Sequence, residues 1–315
     1  MPHLVNDVLN EKTYREAVNF SAIMIATRTS DKVLSRRFDD ISSSFDIACP
    51  ICTDYGFWCN EFNLEKKDLE RAYNETLSAF ARLEPSDEVI SKDSEFYPER
   101  LKNTEDSPRF LYLRGDKSLL LEPRAVALIG SRNASEEGKY NTARVANMLG
   151  KNGYVIVSGL AKGIDASAHI AALENNYKTI AVIGTSIGQY YPKENEEIQK
   201  EIERKGLVVS QFSPVLKTER WFFPLRNGVM SGLVMANVVM EAGEKSGSLI
   251  QARIAFKQHR LVFIPKKIFD DKSLSWPDKL VKNGAIVVNS PLDILETLRM
   301  ESVKESSATQ KDLFD

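Results

Sequence analysis

From Arg124 onward the chain repeats one pattern: a short, wholly apolar run, then a longer segment of mixed polar and apolar positions. The runs are "AVALIG", "YVIVSG", "TIAVIG", "LVVSQF", "ANVVMEA", "RLVFIP" and "AIVVN". Runs this short suit strands, and without alternating polar positions neither face of such a strand meets water. The pattern predicts an α/β fold, a doubly wound and mostly parallel sheet with helices on both faces. In such sheets a ligand sits in the crevice beyond the carboxyl ends of the strands, so the residues just after each run are the ones to read for chemistry.

Residues 1–95 read differently. They lack convincing strand alternation, and Leu64, Leu69, Tyr73, Leu77 and Phe80 in "NLEKKDLERAYNETLSAFARL" recur at helical spacing. A smaller, mainly helical N-terminal domain is expected over 1–95, followed by the sheet domain over 96–300. The connection between them is punctuated by Pro98, Pro108 and Pro123 and holds one strand-like run, "FLYLRG". Residues 301–315, within "MESVKESSATQKDLFD", read as a disordered polar tail.

Composition adds bounds. A chain of 315 residues, 43% hydrophobic and 27% charged, can bury a large core and is expected to be a soluble globular protein. No apolar run approaches the ~18 residues of a membrane span. The start, "MPHLVNDVLNEK", lacks the apolar stretch of a secretory signal, so a cytoplasmic protein without membrane contact is expected. A formal charge of -2 argues against non-specific coating of nucleic acid but leaves room for a local basic pocket. Cys49, Cys52 and Cys59 offer three thiolates to zinc. A fourth ligand is not nearby, since the histidines are His3, His169 and His259; reduced, packed cysteines are the simpler reading, and no cofactor is expected.

The turns after the runs carry the chemistry. Ser131-Arg132, "LAKGIDASAH", "TSIGQYYPKEN", "SPVLKTERWFFPLRNGVMSG" and "GEKSGSLIQARIA" bring glycines, small hydroxyls and cations to one edge of the sheet. Helix N-termini, backbone N–H groups and cations together make a shelf for an anion with several phosphates. Neither GxxxxGK[ST] nor GxGxxG is present, which removes the best sequence support for ATP hydrolysis and hydride transfer. Arg132 stands where a dinucleotide turn would have glycine; it reads either as a bidentate phosphate grip or as a structural ion pair. Asp165, His169 and Glu241 sit beside the pocket as possible catalytic groups, against simpler readings of Asp165 as a helix cap and His169 as an interior histidine.

In order and spacing, "IGSR", "VSGLAKGIDASAH", "TIAVIGT", "YPKEN", "FPLRN", "SGL" and "EAGEKSGSLIQARIA" resemble the DNA-processing protein A family (DprA, also called Smf). The likeness spans about Phe96 to Asn289, with "YPERLK" and "LYLRGD" ahead of the sheet. The resemblance implies a Rossmann-like domain that binds and protects single-stranded DNA, usually as a homodimer. It also implies help in loading the RecA recombinase during natural transformation, and no established enzymatic activity. It places DNA contacts at Gly130, Ser131 and Arg132, at Lys162, at Phe223, Pro224, Arg226 and Asn227, and at Ser246, Gly247 and Ser248. Arginine and lysine would neutralise phosphates, and Phe223 would stack on a base, Trp221 and Phe222 being alternative core residues.

The chain departs from the family pattern where Gly228 replaces an arginine that many relatives carry after FPxRN. His259 and Lys266 are further departures, and neither the helical N-terminal motif nor the winged helix of many relatives is legible. Gln310, Leu313 and Phe314 resemble the QxxLF peptide that sliding clamps accept. Two other readings stay open. One is an antitoxin or sensor subunit acting through a toxin or other defence partner. The other is a nucleotide hydrolase, though "EAGEKSGS" stands where such enzymes have PGGxGT and a glutamate.

Overall fold

The seven apolar runs form seven parallel strands: β3 (Ala125–Gly130), β4 (Val155–Ser158), β5 (Thr179–Val182), β6 (Leu207–Ser210), β7 (Ala236–Glu241), β8 (Leu261–Pro265) and β9 (Ile286–Val288). They belong to a computed structural model that describes residues 11–105 and 107–312, with 302–312 by their backbone alone. Two antiparallel strands, β1 (Asp87–Ser91) and β2 (Phe110–Gly115), extend one side, giving the order β1-β2-β6-β5-β4-β3-β7-β8-β9. From β3 the chain steps outward through β4, β5 and β6, then returns past β3 and continues through β7, β8 and β9. The reversal between β3 and β7 is the topological switch point, and it fixes where the loops diverge to leave a crevice.

Alternate strand residues supply two cores. Ala127, Ile129, Val157, Val182, Val209 and Val239 face one side, beneath α9 (Phe222–Leu233), α10 (Gly247–Lys257) and α12 (Trp276–Lys282). Val126, Leu128, Ile156, Val238 and Phe263 face the other, beneath α6 (Glu136–Lys151), α7 (Ile164–Glu174) and α13 (Pro291–Asp312). Strands buried on both faces need no polar alternation, which is why the runs read as continuous apolar segments.

Residues 12–80 fold into four helices, α1 (Lys12–Thr27), α2 (Asp31–Ser42), α3 (Tyr55–Phe62) and α4 (Lys66–Phe80). Their core of Phe20, Phe38, Trp58 and Leu69 is continuous with Phe110, Tyr112 and Val208 of the sheet. Arg109 ties the junction: its Nε donates to Glu16 at 2.9 Å and its Nη1 to Asp39 at 2.5 Å. The helical segment is thus packed against the sheet, and β1, inside the stretch that pattern alone reads as helical, pairs with β2. Cys49 and Cys52 contact the Thr53 hydroxyl at 3.0 Å and the Tyr73 hydroxyl at 3.9 Å. Among the described residues no three His, Cys, Asp or Glu side chains gather in a way that could hold a metal ion, and no helix is long and apolar enough to cross a membrane.

The backbone of α13 is helical as far as Asp312, into the stretch that composition reads as disordered. From Met300 to Asp312 there is no glycine or proline to stop it, and Glu, Lys, Ala and Gln favour the helix. The side chain of Gln310, and Leu313 and Phe314 entirely, lie outside the described residues.

Candidate functional site

Gly130 ends β3 where three elements meet. A Cβ there would lie 2.7 Å from the Glu241 carbonyl oxygen and against the Ile164 side chain, so only glycine lets the end of β3, the end of β7 and the start of α7 close up. The amides that follow are already engaged. Ser131 N–H donates to the Glu241 carbonyl at 2.7 Å, Asn133 N–H to the Ser131 hydroxyl at 3.1 Å, and Ser135 N–H to the Glu241 carboxylate at 3.0 Å. The Glu241 carboxylate also accepts from the Ser135 hydroxyl at 2.6 Å, and so sits at the N-terminus of α6, where a dinucleotide fold would hold its pyrophosphate. These three amides are spent and an internal carboxylate is in place, and the cation that the turn presents is Arg132.

Arg132 opens onto a cavity of about 680 Å³ at the switch point, lined also by Phe223, Arg226, Asn227, Lys245 and Ser246 to Ser248. Ten of the eleven DNA-contact candidates line it; Lys162 lies in an adjoining cavity of about 170 Å³ shared with Arg132, Phe223 and Arg226. Four cations, Arg132, Arg220, Arg226 and Lys245, face the large cavity against one carboxylate, Asp165. Arg132, Arg220 and Lys245 make no ion pair among the described residues. Lys162 is partnered by Glu194 at 2.5 Å.

The three consecutive aromatics divide their work. Phe222 is buried and stacked on Phe212 at 4.0 Å, whereas Trp221 is exposed at the head of α9. Phe223 lines the cavity, its ring centre 5.7 Å from the Arg132 guanidinium and 5.4 Å from the Tyr191 ring centre. Its seat depends on Gly184, where a Cβ would lie 2.6 Å from the ring. This arrangement sets an exposed cation beside an aromatic ring at the cavity wall.

Arg226 is the cavity's floor. It is buried, its Nη1 donates to the Val182 carbonyl at 2.8 Å, and its Nε has no hydrogen-bond partner among the described residues. Gly159 makes room for it, since a Cβ there would fall inside the guanidinium. Burial lowers its pKa, partly offset by Asp165; burial likewise raises the Asp165 carboxyl, against Arg226 and the Ala161 N–H. Each offsets the other's desolvation, so the pair is costly to half-remove.

Across the sheet edge, Ser246 caps α10, and a Cβ at Gly247 would meet nothing within 4 Å, leaving the backbone open to a ligand. The "LAKGID" loop is held by Leu160, buried at a left-handed φ of 59°, whose carbonyl accepts from Asn195 at 2.8 Å. Arg220, Lys245 and Tyr191 are functional candidates that sequence reasoning passed over. Their signal was weak: each lies in a motif-bearing loop, beside "WFFPLRN", "SGSLI" and "YPKEN".

The possible catalytic groups are otherwise occupied. Glu241 caps α6, Asp165 accepts the Ala161 N–H at 3.3 Å, and His169 is wholly buried with Nδ1 2.8 Å from the Thr179 hydroxyl. That hydroxyl donates to the Ile156 carbonyl, so Nδ1 carries the proton. Burial holds His169 neutral down to about 3. Below about 6.5 the unfolded chain binds a proton here that the native state refuses, so stability is lost as pH falls, by ~1.4 kcal/mol per pH unit. Asp31, raised to about 6 by burial, acts oppositely: the native state takes its proton first, and stability is gained as pH falls from about 6 towards 4. His169→Gln, followed by urea unfolding at pH 7, 5.5 and 4.5, is expected to unmask a gain relative to wild type of ~1.4 kcal/mol per unit of acidification. Parallel curves for the two proteins would contradict the assignment.

The fold is a doubly wound Rossmann-like sheet with a cationic, aromatic-lined cavity at its switch point. The chain belongs to the DNA recombination-mediator protein A family, whose pattern it matches over residues 88–299. It is 35% identical over 241 residues to the DNA processing protein DprA of Bacillus subtilis, covering 76% of this chain and 81% of that one. To the Streptococcus pneumoniae DprA it is 42% identical over 200 residues, 63% and 70% of the two chains. The crystal structure of a Streptococcus pneumoniae DprA superposes with a TM-score of 0.72 at 30% identity, covering 88% of this chain and 97% of that one. A Helicobacter pylori DprA, described for its single-stranded DNA binding mode, gives 0.61 at 30% identity, covering 68% and 96%.

Proposed function

We propose that this chain binds single-stranded DNA in the switch-point cavity and passes it to a RecA-type recombinase, working as a homodimer. The observation that carries the reading is the cavity itself: four cations against one carboxylate, with Phe223 beside Arg132 and Tyr191. Phosphates are met by charge and an unstacked base by the ring, a combination that tolerates every sequence. The family and the Helicobacter pylori relative support the same ligand. Recombinase delivery is tested by following recombinase filament assembly on an oligonucleotide covered with single-strand binding protein. Wild type is expected to speed assembly and Arg132→Ala to leave it slow; equal rates with and without wild type would sink the delivery role.

Gly228, where the chain departs from the family pattern, lies inside α9 but does not line the cavity, and a Cβ there would meet nothing within 4 Å. Gly228→Arg is expected to fold and to gain roughly 0.5–1 kcal/mol of stability from helix propensity. Thermal unfolding checks this, and a lower midpoint than wild type would contradict it.

A further inference from the structure

We propose that the smaller cavity beside the switch-point site takes the phosphate at the end of a DNA strand, so that a terminal phosphomonoester is held apart from the phosphodiesters that follow it. The proposal rests on the reading of the main cavity as a single-strand site. The smaller cavity, of about 170 Å³, has about a quarter of the main cavity's volume. Six of its ten lining residues, among them Arg132, Phe223 and Arg226, line the main cavity too, and Gly159, Lys162, Gly184 and Pro192 are its own. It is a side branch, with room for one group and not for a strand that both enters and leaves.

Three cations and no carboxylate line this branch: Arg132, Lys162 and Arg226. Two carboxylates stand behind them, Glu194 on Lys162 and Asp165 beside Arg226, and three cations less two carboxylates leave one net positive charge. The Lys162–Glu194 pair is more than half exposed on both sides, so the lysine gives up little by turning to a phosphate. Arg226 has donors to spare. Only 5% of it is exposed, its Nη1 donates to the Val182 carbonyl, and its Nε and Nη2 donate to nothing among the described residues. The edge that bears Nη1 and Nη2 abuts Gly159, where a Cβ would fall 1.5 and 2.5 Å from them, so the glycine is what lets this buried arginine reach the branch.

A phosphomonoester brings a charge of about −1.5 to −2 and three acceptor oxygens, and an arginine can grip two of them at once. A phosphodiester brings one negative charge and must continue on both sides. Phe223 lines both cavities, so the base of the terminal nucleotide can stack in the main cavity while its phosphate fills the branch.

Isothermal titration tests this with hexathymidylates that end in a 5′-phosphate, in a 3′-phosphate, or in hydroxyls at both ends. A hydroxyl-ended heptathymidylate, which carries as many phosphates as the phosphorylated hexamers, controls for charge. At least one phosphorylated hexamer is expected to bind about tenfold tighter than both hydroxyl-ended probes, and its end gives the strand's polarity. Lys162→Gln, shown to be folded by thermal unfolding, is expected to cut that ratio to about twofold. Inorganic phosphate at constant ionic strength is expected to erase the preference while leaving the hydroxyl-ended probes bound. Equal binding of the phosphorylated hexamers and the heptamer, a ratio that Lys162→Gln leaves intact, or displacement of every probe alike by inorganic phosphate overturns the end site; tight binding of the hydroxyl-ended probes then leaves the main-cavity reading standing. If wild type binds no probe, the main-cavity reading falls and this proposal with it.

Discussion

Arg132→Ala is expected to weaken single-stranded oligonucleotide binding by about tenfold or more, and to lower the slope of log affinity against log salt by about 0.7. Arg132 is exposed, without an ion pair among the described residues, and lies over the Phe223 ring. Its removal therefore takes away a free charge without breaking anything that stabilises the fold. The Ser131, Asn133 and Ser135 N–H groups cannot substitute for it, because they already donate within the protein. Phe223→Ala makes the useful contrast. It should cost roughly 1–3 kcal/mol through lost stacking while leaving the salt slope unchanged. Fluorescence anisotropy at several salt concentrations separates the two. An Arg132→Ala slope equal to that of wild type would mean that this guanidinium meets no phosphate.

Gly163→Ala is expected to destabilise the protein by ~3 kcal/mol or more and to abolish oligonucleotide binding. Gly163 has φ 75° and ψ -121°, and a Cβ on it would strike the Ser131 carbonyl oxygen and come within 2.8 Å of that of Arg132. Both neighbours are backbone, so no side chain can swing away. The "LAKGID" loop and the "GSR" turn are held together at this point, Ile164 N–H donating to the Ser131 carbonyl at 3.2 Å. Pushing them apart displaces Arg132 as well as loosening the core. Gly247→Ala is the control: a Cβ there meets nothing within 4 Å and the fold should be retained. Urea unfolding of both variants checks the claim, and wild-type stability in Gly163→Ala would refute the contact.

The parallel sheet was legible because strands such as Val126 to Ile129 and Val155 to Val157 are buried on both faces and carry no polar residue to confuse the reading. β1 was not, since "DEVIS" is short, begins with Asp87 and Glu88, and has its outer edge unpaired. The helical character of the N-terminal stretch could be read from Leu69 and Tyr73, but its packing on Phe110 and Tyr112 depends on contacts distant in sequence. The same limit applies to the site. Arg132 and Ser246 to Ser248 follow strands directly, so strand ends locate them. Burial of Arg226 beneath the cavity, and the pairing of Lys162 with Glu194, depend on how separate loops fold back. Arg220, Lys245 and Tyr191 join for that reason too; nothing local distinguishes them from surface residues.

Whether the switch-point cavity holds a single strand of DNA is decided by a titration of fluorescent single-stranded and double-stranded oligonucleotides at two salt concentrations, with wild type and Arg132→Ala. Tight binding of the single strand over the duplex, weakened by salt and by Arg132→Ala, is the predicted result. No binding by wild type, or binding that Arg132→Ala leaves untouched, would contradict it.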